Sequence, residues 1–164
     1  MSEAVNIYVL NCAMGRIYVG QTTDPLHRIQ AHCNHVGAEA TMIYPPVSCR
    51  ALYAVPEWVV NDDSLSVEGH SLLDDLESFT AAMQVSALGS GTDEGIVYGG
   101  RWAGKNELSA NKARRWLWAV GHADGERFRK LKDAYLEMVM TARGEKPGNL
   151  STSDSFNWYI ERTR

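Results

Sequence analysis

The sequence predicts an α+β fold: a small three-stranded antiparallel sheet flanked by helices, followed by an α-helical C-terminal extension. Three observations predict it. Two Ile-Tyr-Val runs, starting at Ile7 and Ile17, flank Gly15. A third β-rich run, CRALYAV (49–55), is fenced by Pro45-Pro46 and Pro56. Beyond residue 100 the apolar residues recur at helical spacing rather than alternating.

Residues 6–10 and 17–20 read as strands, because Val, Ile and Tyr favour a pleated surface. Gly15 marks the turn of an antiparallel hairpin with a loop of about six residues. Thr23 or Asp24 caps a helix with Pro25 at its first position, and Gly37 stops it. Leu26, Ile29 and Cys33 form its apolar stripe. Residues 49–55 make the third strand, and NDDSLSVEGH (61–70) is an acidic loop. From Ser71 to Val85, Leu72, Leu76, Phe79 and Met83 fit a helix.

LGSGTDEG (88–95) and YGGRWAGKNELS (98–109) read as glycine-rich connectors. Two basic helices follow, near 110–120 and 125–143. The first carries Trp116 and Trp118, expected in the core. The second carries Phe128, Leu131, Tyr135, Met138 and Val139 on one face, and Gly144 and Pro147 end it. A last helical turn is expected in SDSFNWYIER. The division is a first domain at 1–95 and a basic helical extension at 96–164, packed on it as one globule.

Charge is split along the chain. Residues 1–100 hold three Arg and 12 acids, so 3 − 12 = −9. Residues 101–164 hold 13 Lys and Arg and eight acids, so 13 − 8 = +5, and the sum is the overall −4. Such asymmetry separates a working site from an anion-binding part. No apolar run is long enough to span a membrane, and the start lacks the basic residues of a secretory leader. The cytoplasm is therefore expected. Three cysteines without a leader argue for free thiols. Zinc held by Cys33, His35 and Cys49 is a minor alternative, because no paired CxxC supports it.

The stretch from Asn6 to His32 resembles the GIY-YIG nuclease family, named for tripeptides on its first two strands. Here they read Asn6-Ile7-Tyr8 and Tyr18-Val19-Gly20. The family places an arginine ten residues after the second tyrosine and often a histidine four beyond; these positions are Arg28 and His32. Asn6 departs from the usual glycine. The resemblance is strong over 5–36, weak over 49–85 and absent from the C-terminal third. It implies a metal-binding glutamate on the helix after the third strand. Glu77, behind Leu76, is preferred because it follows that strand directly. Glu137, behind Leu136, is the alternative. Asn106, Asn111 and Asn149 stay open for the family's trailing asparagine.

The resemblance further implies a phosphodiester hydrolase acting on DNA with Mg²⁺ or Mn²⁺. One cation on one carboxylate stabilises charge at phosphorus and at the leaving oxygen. Arg28 offers a planar fork for phosphate oxygens. Tyr8 and Tyr18, on adjacent strands, position or deprotonate the water, and the sequence does not choose between them. His32, one turn from Arg28, faces the same side. Gln21, Thr22 and Thr23 are candidate phosphate donors. DNA affinity is expected from Lys112, Arg114, Arg115, Arg129 and Lys130, with Arg127 and Lys132 in the same run. No membrane and no small-molecule cofactor are expected. A homodimer is one route by which a single-site nuclease cuts both strands. The alternative function is a catalytically silent binding module of the same fold, which the acidic first hundred residues favour.

Overall fold

Seven residues, five of them buried and two half-buried, open the fold as strand β1 (Asn6–Cys12). The computed structural model describes residues 4–34, 39–87, 97–102 and 108–141. A short 3₁₀ turn, Ala13–Gly15, leads into β2 (Ile17–Thr22). The turn is tight because Met14 and Gly15 take positive φ, 59° and 71°. Helix α1 (Pro25–Cys33) starts where the Asp24 side chain accepts the His27 N–H. Short helix α2 (Glu39–Ile43), strand β3 (Pro46–Ala54), short helix α3 (Glu57–Val60) and helix α4 (Leu72–Ala87) follow. Then come β4 (Val97–Gly99), α5 (Ala110–Ala123) and α6 (Gly125–Thr141). Ser109 and Asp124 cap α5 and α6 by accepting the Lys112 and Arg127 N–H groups.

The sheet has four strands in the order β3-β1-β2-β4 and is mixed, which corrects the expected three-stranded antiparallel sheet. β1 pairs antiparallel with both β2 and β3, while β4 runs parallel to β2. The missed strand hides in the glycine-rich connector. Gly99 has φ +116°, and a Cβ there would lie 1.8 Å from the Val19 carbonyl oxygen. The glycine that reads as a loop signal is what lets β4 approach β2. β3 also begins earlier than expected. Pro46 opens it opposite Cys12, where an edge position tolerates the missing N–H.

Alternation divides the strands between two cores. Ile7, Val9, Ile17 and Val19 face Leu72, Leu76, Phe79, Trp116, Leu131 and Met138 of α4, α5 and α6. Tyr8, Leu10, Cys12 and Tyr18 face the other way, with Ile29, Ala40, Cys49, Leu52 and Tyr98. The helices beyond residue 109 thus bury their apolar faces in the core the first strands began.

Several expected packing assignments need correction. In α1 the inward stripe is Ile29 and His32; Leu26 is 49% exposed and Cys33 is exposed. A histidine displaced the expected apolar residues because it has buried polar partners. The helix ends at Cys33, before Gly37, which lies outside the described residues. Trp118 is 65% exposed and stacks on His122, because it sits on the face of α5 opposite Ala113 and Trp116. The last-turn helix, the stops at Gly144 and Pro147, and the 88–95 connector also lie outside the described residues. Among the described residues no helix is long and apolar enough to cross a membrane.

Candidate active site

Strand register sets the first two groups. Tyr8 lies opposite Gly20, and Tyr18 opposite Leu10, so both phenols project from one face with ring centroids 6.2 Å apart. Gly20 is required by this arrangement. A Cβ there would lie 2.3 Å from the Tyr8 hydroxyl oxygen, so the tyrosine ring occupies the space a side chain needs. The glycine closing the second tripeptide therefore exists to seat the tyrosine of the first.

Helix α1 lays His32 over both rings, at centroid distances of 5.6 Å from Tyr8 and 4.9 Å from Tyr18. The imidazole is fully buried. Its Nε2 lies 2.8 Å from the Tyr8 hydroxyl and its Nδ1 2.8 Å from the Thr41 hydroxyl. Burial, reinforced by the Arg28 charge, lowers its pKa from 6.5 to about 4. His32 is thus neutral near pH 7, with one nitrogen donating and the other accepting. Arg28, half-buried one turn earlier, hydrogen-bonds both phenols. Burial weakens its hold on its proton, but the two phenol oxygens outweigh that and raise its pKa.

Burial also raises the pKa of Tyr8, with Tyr18 adding to the shift and Arg28 opposing it. Tyr18 is raised by burial and by Glu77, again against Arg28. Neither phenol ionises readily by itself. Glu77, reaching in from α4, is the carboxylate that both tyrosines feel. Burial, with the Asp74 charge second, lifts its pKa from 4.5 to about 7, against hydrogen bonding from Gln21. It lines a cavity of about 210 Å³ together with His70, Asp74, Ser78 and Arg101.

Four expected site residues, Tyr8, Tyr18, Arg28 and His32, therefore meet from β1, β2 and α1, while Glu77 on α4 is coupled to the phenols through its charge and lines a cavity that none of the four lines. Glu137 lies elsewhere: it accepts a hydrogen bond from the Trp58 indole at 3.0 Å on the exposed surface. Gln21 donates to Asp74 at 2.9 Å and also bonds Glu77, so it positions the two carboxylates, and the Thr22 hydroxyl accepts the Asp24 N–H. Asn111 pairs with Arg114, while Asn106 and Asn149 lie outside the described residues. Cys49 is buried and Cys33 exposed, and His35 lies outside the described residues. Sequence reading missed Thr41 and Tyr98. Tyr98 lies beside Tyr18 in the parallel pair, on the same face. Gly20 had a usable signal, its register opposite Tyr8; Thr41 had none before α2 was placed.

The basic helices supply fewer free cations than expected. Arg127 is buried in an ion pair with Asp75 at 2.7 Å and also donates to the His70 carbonyl. It is a structural cation rather than a surface one. Lys130 pairs with Asp62 at 3.2 Å, Lys132 lies over the Phe128 ring, and Lys112 is half-buried. Arg114, Arg115 and Arg129 are exposed.

Residues 4–58 match the family model described as the GIY-YIG catalytic domain. Over this segment, about a third of the chain, the sequence is similar to the GIY-YIG family. The matched GIY-YIG residues take in Tyr8, Tyr18, Arg28 and His32 and stop before Glu77. No curated protein and no solved structure matches the chain.

The site fits a hard divalent ion. Among the described residues no group of three or more His, Cys, Asp or Glu side chains forms a multidentate cage. Glu77 instead presents one carboxylate on a polar cavity, which suits Mg²⁺ or Mn²⁺ that keep most of their waters. The same donor set is unsuited to zinc.

Proposed function

We propose that this chain is a divalent-metal-dependent endonuclease that hydrolyses phosphodiester bonds in DNA. The convergence of two buried phenols, Arg28 and neutral His32 on one face of the sheet, with the Glu77 carboxylate of α4 within electrostatic reach of both phenols, supports this reading. Glu77 would hold Mg²⁺ or Mn²⁺, which would supply charge stabilisation at the phosphate and the leaving oxygen. Arg28 grips the scissile phosphate; its fork, held by the two phenols, is set before substrate arrives.

Tyr8 moves the proton. With the His32 proton on Nδ1 and donated to Thr41, Nε2 accepts the Tyr8 hydroxyl hydrogen. As Tyr8 takes a proton from the attacking water, its own proton passes to His32. No free phenolate is needed, which answers the raised pKa of the phenol. Tyr18 orients the water beside it. Exposed Arg114, Arg115 and Arg129 of the 96–164 extension add phosphate contacts to the 1–95 catalytic part.

The test is plasmid cleavage in Mg²⁺ or Mn²⁺ by the wild type, Arg28→Ala and Tyr8→Phe. Cleavage by the wild type and its loss in the variants supports the reading; equal behaviour of all three sinks it. Because Glu77 titrates near 7, its carboxylate fraction and hence apparent metal affinity rise from pH 6 to pH 8. The −9 charge of residues 1–100 favours a second reading, a silent binding module. That reading requires an inert wild type that still folds.

A further inference from the structure

A second cavity lies against the Glu77 cavity, and none of the residues assigned above to catalysis lines it. It measures about 260 Å³, and Val67, Trp116, Ala119 and Val120 give it carbon walls. Arg101 and Asp75 line both cavities, so the two share a partition. A nucleotide's base and phosphate are joined through one sugar. A base seat for a strand cut at a metal on Glu77 must therefore neighbour that carboxylate, and this cavity adjoins the one Glu77 lines.

Its chemistry excludes a phosphate and suits a base. Glu68, Asp75 and Asp124 supply three carboxylates against two cations. Both cations are engaged, Arg127 with Asp75 at 2.7 Å and Arg101 with Glu68 at 2.8 Å. The net negative balance repels an anion. A neutral heteroaromatic ring meets no such penalty. Its faces lie on carbon, and an exocyclic amino group finds carboxylate acceptors in Glu68 and Asp124. The Trp116 wall is fixed in advance. Its ring stands edge-on to Trp102 at 5.5 Å, and the Arg101 guanidinium lies 5.3 Å from its centroid.

We propose that this cavity receives one unstacked, amino-bearing base (adenine, cytosine or guanine) of the DNA strand whose phosphate Arg28 grips beside the metal at Glu77. The proposal rests on the nuclease reading above. It makes the loop 61–70 and helix α5 a specificity element rather than a scaffold. Extruding a base costs stacking energy, so single-stranded, mismatched or distorted DNA is the favoured substrate.

The experiment is a scan of oligonucleotides carrying one abasic sugar, or thymine for the native base, at each position around the cut. Binding is measured in Ca²⁺ and cleavage in Mg²⁺. Wild-type affinity falls about tenfold for the abasic sugar at one position and less for thymine there. Ala119 lies on the exposed surface of α5, so Ala119→Trp fills the cavity without touching the core. That variant binds intact DNA about tenfold more weakly and loses the position-specific abasic effect. Ala123→Phe, equally exposed, repeats the test, and circular dichroism melting verifies both folds. A flat abasic scan with normal cleavage overturns the base pocket and leaves the nuclease standing. If the wild type neither binds nor cuts any oligonucleotide, the nuclease reading falls. Titration with free deoxyadenosine, deoxycytidine and thymidine then decides the pocket. Saturable tryptophan quenching by the amino-bearing nucleosides, abolished in Ala119→Trp, upholds it; no quenching ends it.

Discussion

Consider one strand from its two sides. On β1, Ile7 and Val9 point into the layer of α4, α5 and α6, where they join an apolar and aromatic cluster. Tyr8, between them, points to His32, Tyr18 and Arg28, titratable groups set among Leu10, Ile29 and Leu52. Both faces are equally buried, yet one can only stabilise and the other can also react. Buried apolar groups gain by leaving water, whereas buried polar groups must be paired and have their pKa values moved. Putting both on one strand holds the reactive face rigid through the packed face behind it.

That contrast can be broken from either side. The largest effect expected is from Arg28→Ala, which removes the phosphate fork and lowers the cleavage rate by about 10³-fold. Because Arg28 is only half-buried, its melting temperature stays close to wild type. A large thermal loss with normal cleavage would reverse the roles of the faces. Next is Leu131→Ala on α6, a fully buried residue of the packed face. It should lower unfolding free energy by about 3 kcal/mol in a urea titration while the folded fraction cuts normally.

Gly20→Ala comes third and joins the two faces in one atom. The added methyl displaces the Tyr8 hydroxyl, and a shift of that kind costs about 10²-fold in rate. Single-turnover cleavage measures it, and an unchanged rate would mean that Tyr8 does not act in the chemistry. Fourth is Glu77→Gln, with opposite signs on activity and stability. The fold raises the Glu77 pKa, so its stabilising contribution is complete below pH 4.5 and is lost as pH rises through 7. Gln carries no charge, so at pH 8 the metal-free variant gains on the order of 2 kcal/mol while losing metal-dependent cleavage. His32 works in the other direction, since its lowered pKa costs stability as pH falls from 6.5 through 4. The smallest effect is Trp118→Ala: exposed and paired with neither face, it shifts stability by under about 0.5 kcal/mol.

Much of the reactive face was legible before folding. Tyr8, Tyr18, Arg28 and His32 lie within one hairpin and the helix after it, where spacing alone dictates proximity. Glu77 was readable only as one of two glutamates, because 45 residues separate it from His32 and no local rule carries it across. β4 was illegible because a three-residue parallel strand has no period of its own and its glycines resemble a loop. The basic run 127–132 misled for a related reason. Charge is visible in sequence, but the partners Asp75 and Asp62 that bind Arg127 and Lys130 come from a distant loop and helix.

By itself the sequence determined the two faces of the hairpin, the pairing of its phenols and the turn that brings Arg28 and His32 over them. These follow from periods of two and 3.6 residues, which act within a few residues. Only tertiary structure decided that the phenols feel the charge of Glu77 rather than Glu137, that burial keeps His32 neutral beside Thr41, and that Arg127 is consumed inside. Each depends on which distant surfaces close together. Burial then does what sequence cannot encode locally, moving the pKa of a histidine down and that of a glutamate up at the two ends of one site.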